Sequence, residues 1–499
     1  MSVGIDLLVV LFLLSIIVGA LILVIGIFFR GIPGLKKFWL SKPLFIRKWL
    51  FYQFFGLSLL GIILLALRIP IPSVMELEDV VMDGVMFLYK ENIPSIKAGE
   101  IPPFVLLDID NKTHEKWGFP SYTPRNKLKN LIDTAVQANS LLIIVDIDIS
   151  QSQSMKNPSP DDQVLAEYLK NHATKCKQNQ SDCSPIILVR AFSDESQSIL
   201  QPRIGFFEDV VTQSFPYIQW GSAEFYVSST DITRRWSLWE PTCSKEQQPK
   251  VISSMALLTM GMIRSCTEEI PNALRSLQLE NCRQFLPPES ITFCGLTIST
   301  KIDSVQQRIM YRMPYSEVPP NKRVVHDNKG VPILTILSAQ PYAESPPQDS
   351  LEVFPDNSVV VIGGSYGPPS TGVSDMHDTP IGEMPGALVI INAIHSLLQG
   401  LTIKPVSYWW LVIAFLIILT LFAAIPEQHN NRRDKTVRWR LIILILFIIA
   451  GLFVYSYILF EDGTWLDIAV PVAIIEICRR IYQRKWLKNF ANKVIGTPT

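Results

Sequence analysis

Two pairs of aspartates, each spaced Asp-X-Asp, have the clearest chemical potential in the sequence. Asp108 and Asp110 end the apolar stretch FVLLDID, and Asp146 and Asp148 end the stretch LLIIVDIDI. Four carboxylates brought together can hold a hard cation or bind a cationic or hydroxylated ligand. Aspartates at strand ends also cap helices and satisfy turns, so the sequence leaves both a ligand-lining role and a structural role open.

A glycine-rich segment, Gly363-Gly364-Ser365, follows a third apolar stretch. Glycine has no side chain, so the backbone amides of this segment can approach a ligand closely. Further along the chain, Asp375 lies beside His377 and could line the same ligand, or act with His377 and a nucleophile such as Ser365 or Ser374 in a hydrolase. Because residues this close in sequence usually bond within a turn, we predict no catalytic residue here.

The three apolar stretches are short enough to be strands of a parallel sheet that is buried on both faces. Between the first two lies a segment whose apolar residues recur at helical spacing, which predicts a strand, helix, strand crossover. The carboxyl ends of parallel strands share one edge, where open α/β sheets bind ligands. The predicted fold is therefore an α/β domain with a mainly parallel sheet and the candidate residues at one edge.

Long apolar runs flank this domain and predict transmembrane α-helices. Four runs approach the roughly 20 residues that cross a bilayer, and a fifth is shorter. The runs are 7–29, 49–67, 409–425, 441–460 and 465–478. The loops after the first and third runs and the tail after the fifth are rich in Lys and Arg, which places all three in the cytoplasm.

This topology divides the chain into four parts. Two N-terminal spans occupy residues 1–70, an extracytoplasmic domain 71–405, three further spans 406–478, and a short basic cytoplasmic tail 479–499. The whole chain has 45 basic and 45 acidic residues, so the basic cytoplasmic segments leave the external domain acidic. An acidic surface excludes nucleic acid as a partner of that domain.

Most of the cysteines fall in the predicted external domain: Cys176, Cys183, Cys243, Cys266, Cys282 and Cys294. An even set in an exported domain indicates disulfides. Proximity in sequence suggests pairing in the order given, Cys176 with Cys183, Cys243 with Cys266 and Cys282 with Cys294, although other pairings and free buried thiols stay open. No Cys-X-X-Cys or His-rich spacing indicates zinc, so no metal site is predicted.

In the tail, Tyr482, Trp486 and Phe490 recur every four residues among Lys and Arg. A basic amphipathic helix of this kind can lie on anionic membrane lipid or bind a cytoplasmic partner. The alternative is a simple membrane anchor with interfacial aromatic residues.

Several segments taken together resemble one family. FVLLDID, SYTPRNKLKNLI, LLIIVDIDI, DITRRW, SVVVIGGS and SDMHDTPIGEMPGALVIINAIHSLLQG occur in this order between the membrane spans. The arrangement resembles the second type of the CHASE family, extracellular sensory domains associated with bacterial cyclases and histidine kinases. The closing motif is the most specific part of the resemblance.

The resemblance implies that signals outside the bacterial cytoplasmic (inner) membrane pass through the spans to an enzyme domain inside. Only a short tail follows Cys478, so we expect the output to be a separate cytoplasmic signalling protein. Where the family has a polar Glu and His in the closing helix, this sequence has Leu388 and Ile390. That departure argues against ligand chemistry in the closing helix.

Three functions are compatible with these features. The leading hypothesis is a non-enzymatic membrane receptor that binds a small ligand, uses no cofactor and relays to a separate partner. The second is a structural scaffold subunit of a cell-envelope complex. The third is an extracytoplasmic hydrolase, since LLDIDNKT resembles the nucleophile loop of haloacid-dehalogenase-like phosphatases, although Thr113 comes one residue late. A homo-oligomer is compatible with each.

Overall fold

The computed structural model describes most of residues 72–400. The gaps within that range are 91–100, 151–157, 180–182, 194–199, 228–229, 245–247, 278–281, 283–286, 301–306, 316–321, 345–347 and 368–374. Residues 43, 46, 403–405, 443, 450–451, 453–460 and 463–465 are also described. The chain divides into two compact units, one of residues 83–403 and the other of residues 1–82 and 404–499.

The strands of the described residues are numbered in chain order. They are β1 (Phe104–Ile109), β2 (Leu142–Val145), β3 (Ile186–Val189), β4 (Phe192–Ser193), β5 (Gln201–Pro202), β6 (Ile218–Gly221), β7 (Phe225–Val227), β8 (Thr233–Trp236), β9 (Trp239–Cys243), β10 (Pro249–Ser253), β11 (Ser290–Phe293), β12 (Leu296–Ser299), β13 (Lys322–His326), β14 (Pro332–Ser338), β15 (Val359–Gly364), β16 (Met376–Thr379), β17 (Gly382–Pro385), β18 (Lys404–Pro405) and β19 (Thr464–Trp465).

The helices are numbered in the same way. They are α1 (Pro72–Tyr89), α2 (Asn111–Lys116), α3 (Arg125–Gln137), α4 (Pro160–Gln178), α5 (Glu208–Ser214), α6 (Met255–Ile263), α7 (Glu269–Arg275), α8 (Gln340–Glu344) and α9 (Gly386–Leu398), with a 3-10 helix at Gln348–Val353.

A seven-stranded sheet in the order β13-β14-β1-β15-β2-β3-β6 forms the centre of the unit of residues 83–403. All neighbours in it are parallel except the edge strand β13, which is antiparallel to β14. Every residue of β1 and β15 is buried, because helices cover both faces of the sheet. The predicted mainly parallel α/β fold is confirmed.

One face of the sheet packs on α3, α4, α5 and α8. Their apolar residues join those of the strands in one hydrophobic cluster, which includes Leu131, Leu165, Leu169 and Val210. The helices begin as their sequences dictate, since Ser159 caps α4 in a capping box with Asp162. Asp162 also forms a fully buried ion pair with Arg125 at 3.2 Å, which joins α3 to α4.

The opposite face packs on α6 and α9, and α9 is the helix of the closing motif. Every residue of α9 is buried, including Leu388, Ile390, Asn392 and Ser396. Asn392 and Ser396 bond the backbone of the segment 310–313. The closing motif is therefore a core element of the domain.

In the other unit, β18 and β19 form a short parallel pair, and the indole Nε1 of Trp465 donates to Glu78 Oε1 at 3.0 Å. Within the part of the chain that the structure describes, no helix combines the length and the apolar character that a membrane span requires. Three of the five apolar runs lie wholly outside the described residues, and the runs 441–460 and 465–478 are described only in part, so the flanking transmembrane helices and the four-part division of the chain stay predictions.

Candidate functional site

The carboxyl edge of the sheet centres on Asp108, near the end of β1. In the sheet register Asp108 lies between Ser338 of β14 and Gly363 of β15. Its side chain is buried, and the hydroxyl Oγ of Ser365 donates to Asp108 Oδ2 at 2.8 Å. The second oxygen, Oδ1, has no hydrogen-bond partner among the described residues. A buried carboxylate oxygen in that state has capacity for a donor from a ligand or for a proton.

Burial raises the pKa of Asp108 from 3.8 to about 7, and the nearby charge of Asp110 acts in the same direction. The hydrogen bond from Ser365 opposes the shift, because it stabilises the charged form. Asp108 is therefore a carboxyl group that changes its charge near neutral pH.

Asp110 has the structural role that the sequence left open. It is the N-cap of α2, and its Oδ1 accepts from the backbone N and from Oγ1 of Thr113, each at 2.7 Å. Capping satisfies a backbone donor at the start of a helix. The LLDIDNKT loop thus uses Thr113 to hold Asp110, which gives no support to phosphatase chemistry.

The second aspartate pair divides in the same way. Asp148 Oδ1 accepts from the backbone N of Ser150 at 2.8 Å and from its hydroxyl at 2.6 Å, while Oδ2 pairs with Arg203 Nη1 at 2.8 Å. Asp146 instead lies among carboxylates. Burial, then the charges of Asp375 and Glu224, raises the pKa of Asp146 well above its usual value.

Asp375 lies at the start of α9. Its backbone oxygen accepts from the amide of Gly386 at 2.8 Å, and its carboxylate is 3.4 Å from His377 Nε2. The contact with His377 is local, as the sequence spacing predicts, whereas the bond with Gly386 joins the two ends of the β16–β17 hairpin. A carboxylate near a helix N-terminus is electrostatically favoured, which accounts for this acid.

The two glycines of the Gly-Gly-Ser segment are explained by packing. A Cβ on Gly363 would stand 2.4 Å from the Cβ of Ala387 on α9, so only glycine lets helix and strand come this close. A Cβ on Gly364 would stand 2.7 Å from the ring of Tyr366. Packing therefore explains why both positions are glycine, without any contact between their amides and a ligand.

Aromatic side chains beside this edge are the residues that the sequence analysis missed. The ring of His114 stacks on Tyr366 with centroids 4.0 Å apart, and Phe119 packs edge-on against His114 at 5.6 Å. Burial raises the pKa of Tyr366. No local pattern could indicate the stack, because its members come from α2 and from the segment after β15.

The six external cysteines form three disulfides, of which one has the pairing suggested by sequence proximity, Cys176 with Cys183. The other two proposed pairs are wrong: Cys243 pairs with Cys282, and Cys266 pairs with Cys294. The reason is the packing of α7 against β11, which brings the loop after α6 to the turn between β11 and β12. Proximity in sequence cannot reveal that contact.

A small cavity near Glu224 is lined by Ser222, Trp236, Met255 and Ile390 and has a volume of about 10 Å³. That is close to the minimum that one water molecule needs.

The tail residues Tyr482, Trp486 and Phe490 lie outside the described residues, as does Ser374.

The domain is an α/β domain with a doubly covered, mainly parallel sheet and a buried carboxyl group at its carboxyl edge, the edge at which open α/β sheets bind ligands. A family model described as the CHASE2 domain matches residues 57–425. The chain therefore belongs to the CHASE2 domain family, a family of extracellular sensory domains, and the resemblance drawn from its motifs is confirmed. Comparison with curated proteins and comparison with solved structures each gave no match.

Proposed function

We propose that this protein is a non-enzymatic, multi-pass receptor of the bacterial cytoplasmic membrane. Its extracytoplasmic domain binds a small ligand at the carboxyl edge of the sheet and relays the signal to a separate cytoplasmic protein. The supporting observation is Asp108, a buried carboxyl group with one oxygen that has no partner among the described residues. A ligand with a hydroxyl or amine donor fits that oxygen.

The ligand side of the proposal predicts a specific dependence on Asp108. A panel of amines and polyols is added to the full-length protein in detergent, and the thermal unfolding midpoint is measured. A compound that binds at the edge raises the midpoint, and Asp108→Asn removes that shift. Asp148→Asn is the matched control and keeps it, since Asp148 is held by Ser150 and Arg203. A shift that survives in Asp108→Asn contradicts this site.

The relay side depends on the tail of residues 479–499. Full-length protein is purified from its own membranes in mild detergent, and co-purifying proteins are identified by mass spectrometry. We expect a kinase, a cyclase or one of their regulators. The triple variant Tyr482→Ala, Trp486→Ala, Phe490→Ala keeps every basic residue, so loss of the partner in this variant assigns the docking to the aromatic residues.

A scaffold subunit of a cell-envelope complex is the second candidate, and two observations favour it. The sheet edge is tightly filled at Gly363 and Gly364, and large apolar side chains are exposed elsewhere, with Ile204 at 62 % and Phe215 at 64 % exposure. Contiguous exposed apolar patches mark protein contact surfaces, so the scaffold proposal requires that these side chains join in one patch. Recovery of envelope structural proteins in the same purification would support the scaffold and contradict the relay.

A further inference from the structure

One side-chain cluster outside the sheet edge has the composition of a metal site. His172 and Cys176 lie one turn apart on α4, and Cys183 follows the helix. One ligand atom of each residue lies within 4.8 Å of the others. His172 and Cys176 are buried, and Cys183 is partly buried. The sequence predicts no metal here, because the three residues match no common zinc spacing.

The cluster is closed by a disulfide. Cys176 and Cys183 are bonded, with Cα atoms 4.9 Å apart. His172 Nε2 lies 2.9 Å from the carbonyl oxygen of Ser184, to which it donates, and 3.5 Å from Cys176 Sγ. The imidazole therefore lies directly beside a sulfur atom that reduction would release as a thiol.

We propose that this cluster is a redox-gated site for zinc or a similar thiophilic divalent cation. A dithiol reductant gives two electrons and two protons to the disulfide, which yields two thiols, and the dithiol becomes a disulfide. The cation then displaces both thiol protons and binds two thiolates and the imidazole, with water as fourth ligand. Coordination through Nε2 moves the ring proton to Nδ1 and replaces the bond to Ser184.

The geometry is close to what the cation requires. Sulfur ligands lie about 2.3 Å from zinc and nitrogen about 2.0 Å, so neighbouring ligands on a tetrahedron are about 3.3–3.8 Å apart. The proposal requires the three atoms to adopt those separations once the disulfide is open, starting from their present arrangement within 4.8 Å. Helix α4 holds two of the three ligands on one face in either state.

The other two disulfides provide an internal comparison. Among the described residues, neither Cys243 and Cys282 nor Cys266 and Cys294 join a group of three such ligands. They also close longer loops, with sequence separations of 39 and 28 against 7 for Cys176 and Cys183. Opening the shortest loop releases the least chain entropy, so this disulfide is the one whose reduction disturbs the fold least.

The test uses the full-length protein in detergent, reduced with a phosphine that is then removed without oxygen. Zn²⁺ alone is the first probe, and Co²⁺ is the spectroscopic probe because thiolates give it a charge-transfer band. We expect one Zn²⁺ for each reduced chain, no binding to the oxidised chain, and a Co²⁺ thiolate band. His172→Gln is expected to weaken Zn²⁺ binding at least tenfold.

Two controls separate this site from general thiol binding. His326→Gln changes an exposed histidine and should leave Zn²⁺ affinity unchanged. The double variant Cys176→Ser, Cys183→Ser keeps the other four external cysteines and should bind no Zn²⁺ after reduction. Circular dichroism of the oxidised His172→Gln protein checks that the variant folds. Absence of Zn²⁺ binding to the reduced chain, or binding that survives in the His172 variant or the double cysteine variant, overturns the proposal.

Discussion

Asp108 and Asn392 are both buried polar residues of one domain, and their environments differ in an instructive way. Asn392 Oδ1 accepts from the backbone amides of Arg312 and Met313, each at 3.0 Å, and Nδ2 donates to the carbonyl oxygens of Met313 and Leu388. Asp108 has one bonded oxygen and one without a partner among the described residues.

The difference separates architecture from a candidate site. A buried polar group whose donors and acceptors are all used fixes the position of the segments it joins. A buried group with unused capacity stabilises nothing through that atom, so it needs another explanation, such as a ligand or a proton. The comparison assigns Asn392 to the fold and leaves Asp108 as the candidate for a ligand or a proton.

The largest expected effect tests the structural role of Asn392. Asn392→Leu removes the side-chain bonds to Arg312 and Met313 and leaves the backbone amides of these two residues buried without that partner. We expect a loss of about 5 kcal/mol in the free energy of unfolding, since each unsatisfied buried group costs about 1–3 kcal/mol. Denaturation of the full-length protein in detergent, followed by tryptophan fluorescence, measures it.

Ser396→Ala is the matched control on the same helix. Ser396 Oγ accepts one bond, from the amide of Met310 at 3.2 Å, so this variant should lose only about 1 kcal/mol. Equal losses of stability in the two variants would show that Asn392, with all its donors and acceptors bonded, contributes no more to the fold than Ser396 does.

The next effect concerns the pH dependence of Asp108. Its pKa is about 7 in the folded chain against 3.8 ordinarily, so the folded state binds this proton more tightly than the unfolded state does. Stability from this group is therefore present below pH 4 and is lost as the pH rises from 4 to 7. The shift corresponds to about 4 kcal/mol.

Asp108→Asn isolates this term, because asparagine keeps the shape and cannot ionise. Glu240, whose pKa burial also raises to about 7, contributes equally to both proteins and cancels in the difference. We expect the unfolding free energy of the wild type to fall more steeply than that of the variant between pH 4 and 7. Parallel pH profiles would show that Asp108 does not titrate in this range.

A third effect concerns an ion cluster that is built from α1 and the DITRRW motif. Asp83 Oδ2 accepts from Arg234 Nε at 2.9 Å and Nη2 at 2.7 Å, and Asp83 Oδ1 accepts from Arg308. Both arginines are buried. Asp83→Ala takes a carboxylate away from two buried cations, so we expect a loss of about 3 kcal/mol in the same denaturation measurement.

A surface ion pair is the control for this cluster. Glu344 pairs with Lys127 at 2.7 Å, and both side chains are substantially exposed. Glu344→Ala should cost less than about 0.5 kcal/mol, because solvent screens the pair. If Asp83→Ala is as mild, the buried arginines are stabilised by other contacts and Asp83 does not hold the cluster.

The sequence predicts the strands of the sheet, but it does not predict the side-chain contacts at their carboxyl ends. Apolar stretches that end in Asp108, Asp146 and Gly363 predict buried parallel strands correctly, because burial on both faces leaves a continuous apolar run. The role of each aspartate depends on what lies beside it in space. Asp110 caps α2 by accepting from Thr113, only three residues later, whereas Ser365 reaches Asp108 across 257 residues of chain.

The same limit explains the disulfides. Cys176 and Cys183 are separated by seven residues, so local geometry is enough to pair them. The remaining cysteines pair through the packing of separate elements, which composition and spacing do not encode. Local bonds follow from spacing, and long-range bonds require the fold.

The smallest expected effect sharpens the comparison at the sheet edge itself. Gly363→Ala places a methyl group 2.4 Å from the Cβ of Ala387. Because this Cβ is fixed to the backbone of α9, it can move away only if the whole helix shifts. Gly364→Ala places a methyl group 2.7 Å from the ring of Tyr366, a side chain that can rotate. We expect Gly363→Ala to lower the free energy of unfolding by about 2 kcal/mol, because its neighbour is rigid. Gly364→Ala should lower it by less than about 1 kcal/mol, because its neighbour can move.

If these glycines line a ligand site, substitution should affect ligand binding more than stability. If their amides serve a ligand, Gly364→Ala should abolish the ligand-induced rise in the unfolding midpoint while leaving stability nearly unchanged. If packing alone selects glycine, both variants keep the ligand response, and Gly363→Ala affects only the unfolding free energy. Because Asp108 pairs with Gly363 in the register, the same two variants also test whether a shift of this edge alters the ligand response proposed for Asp108.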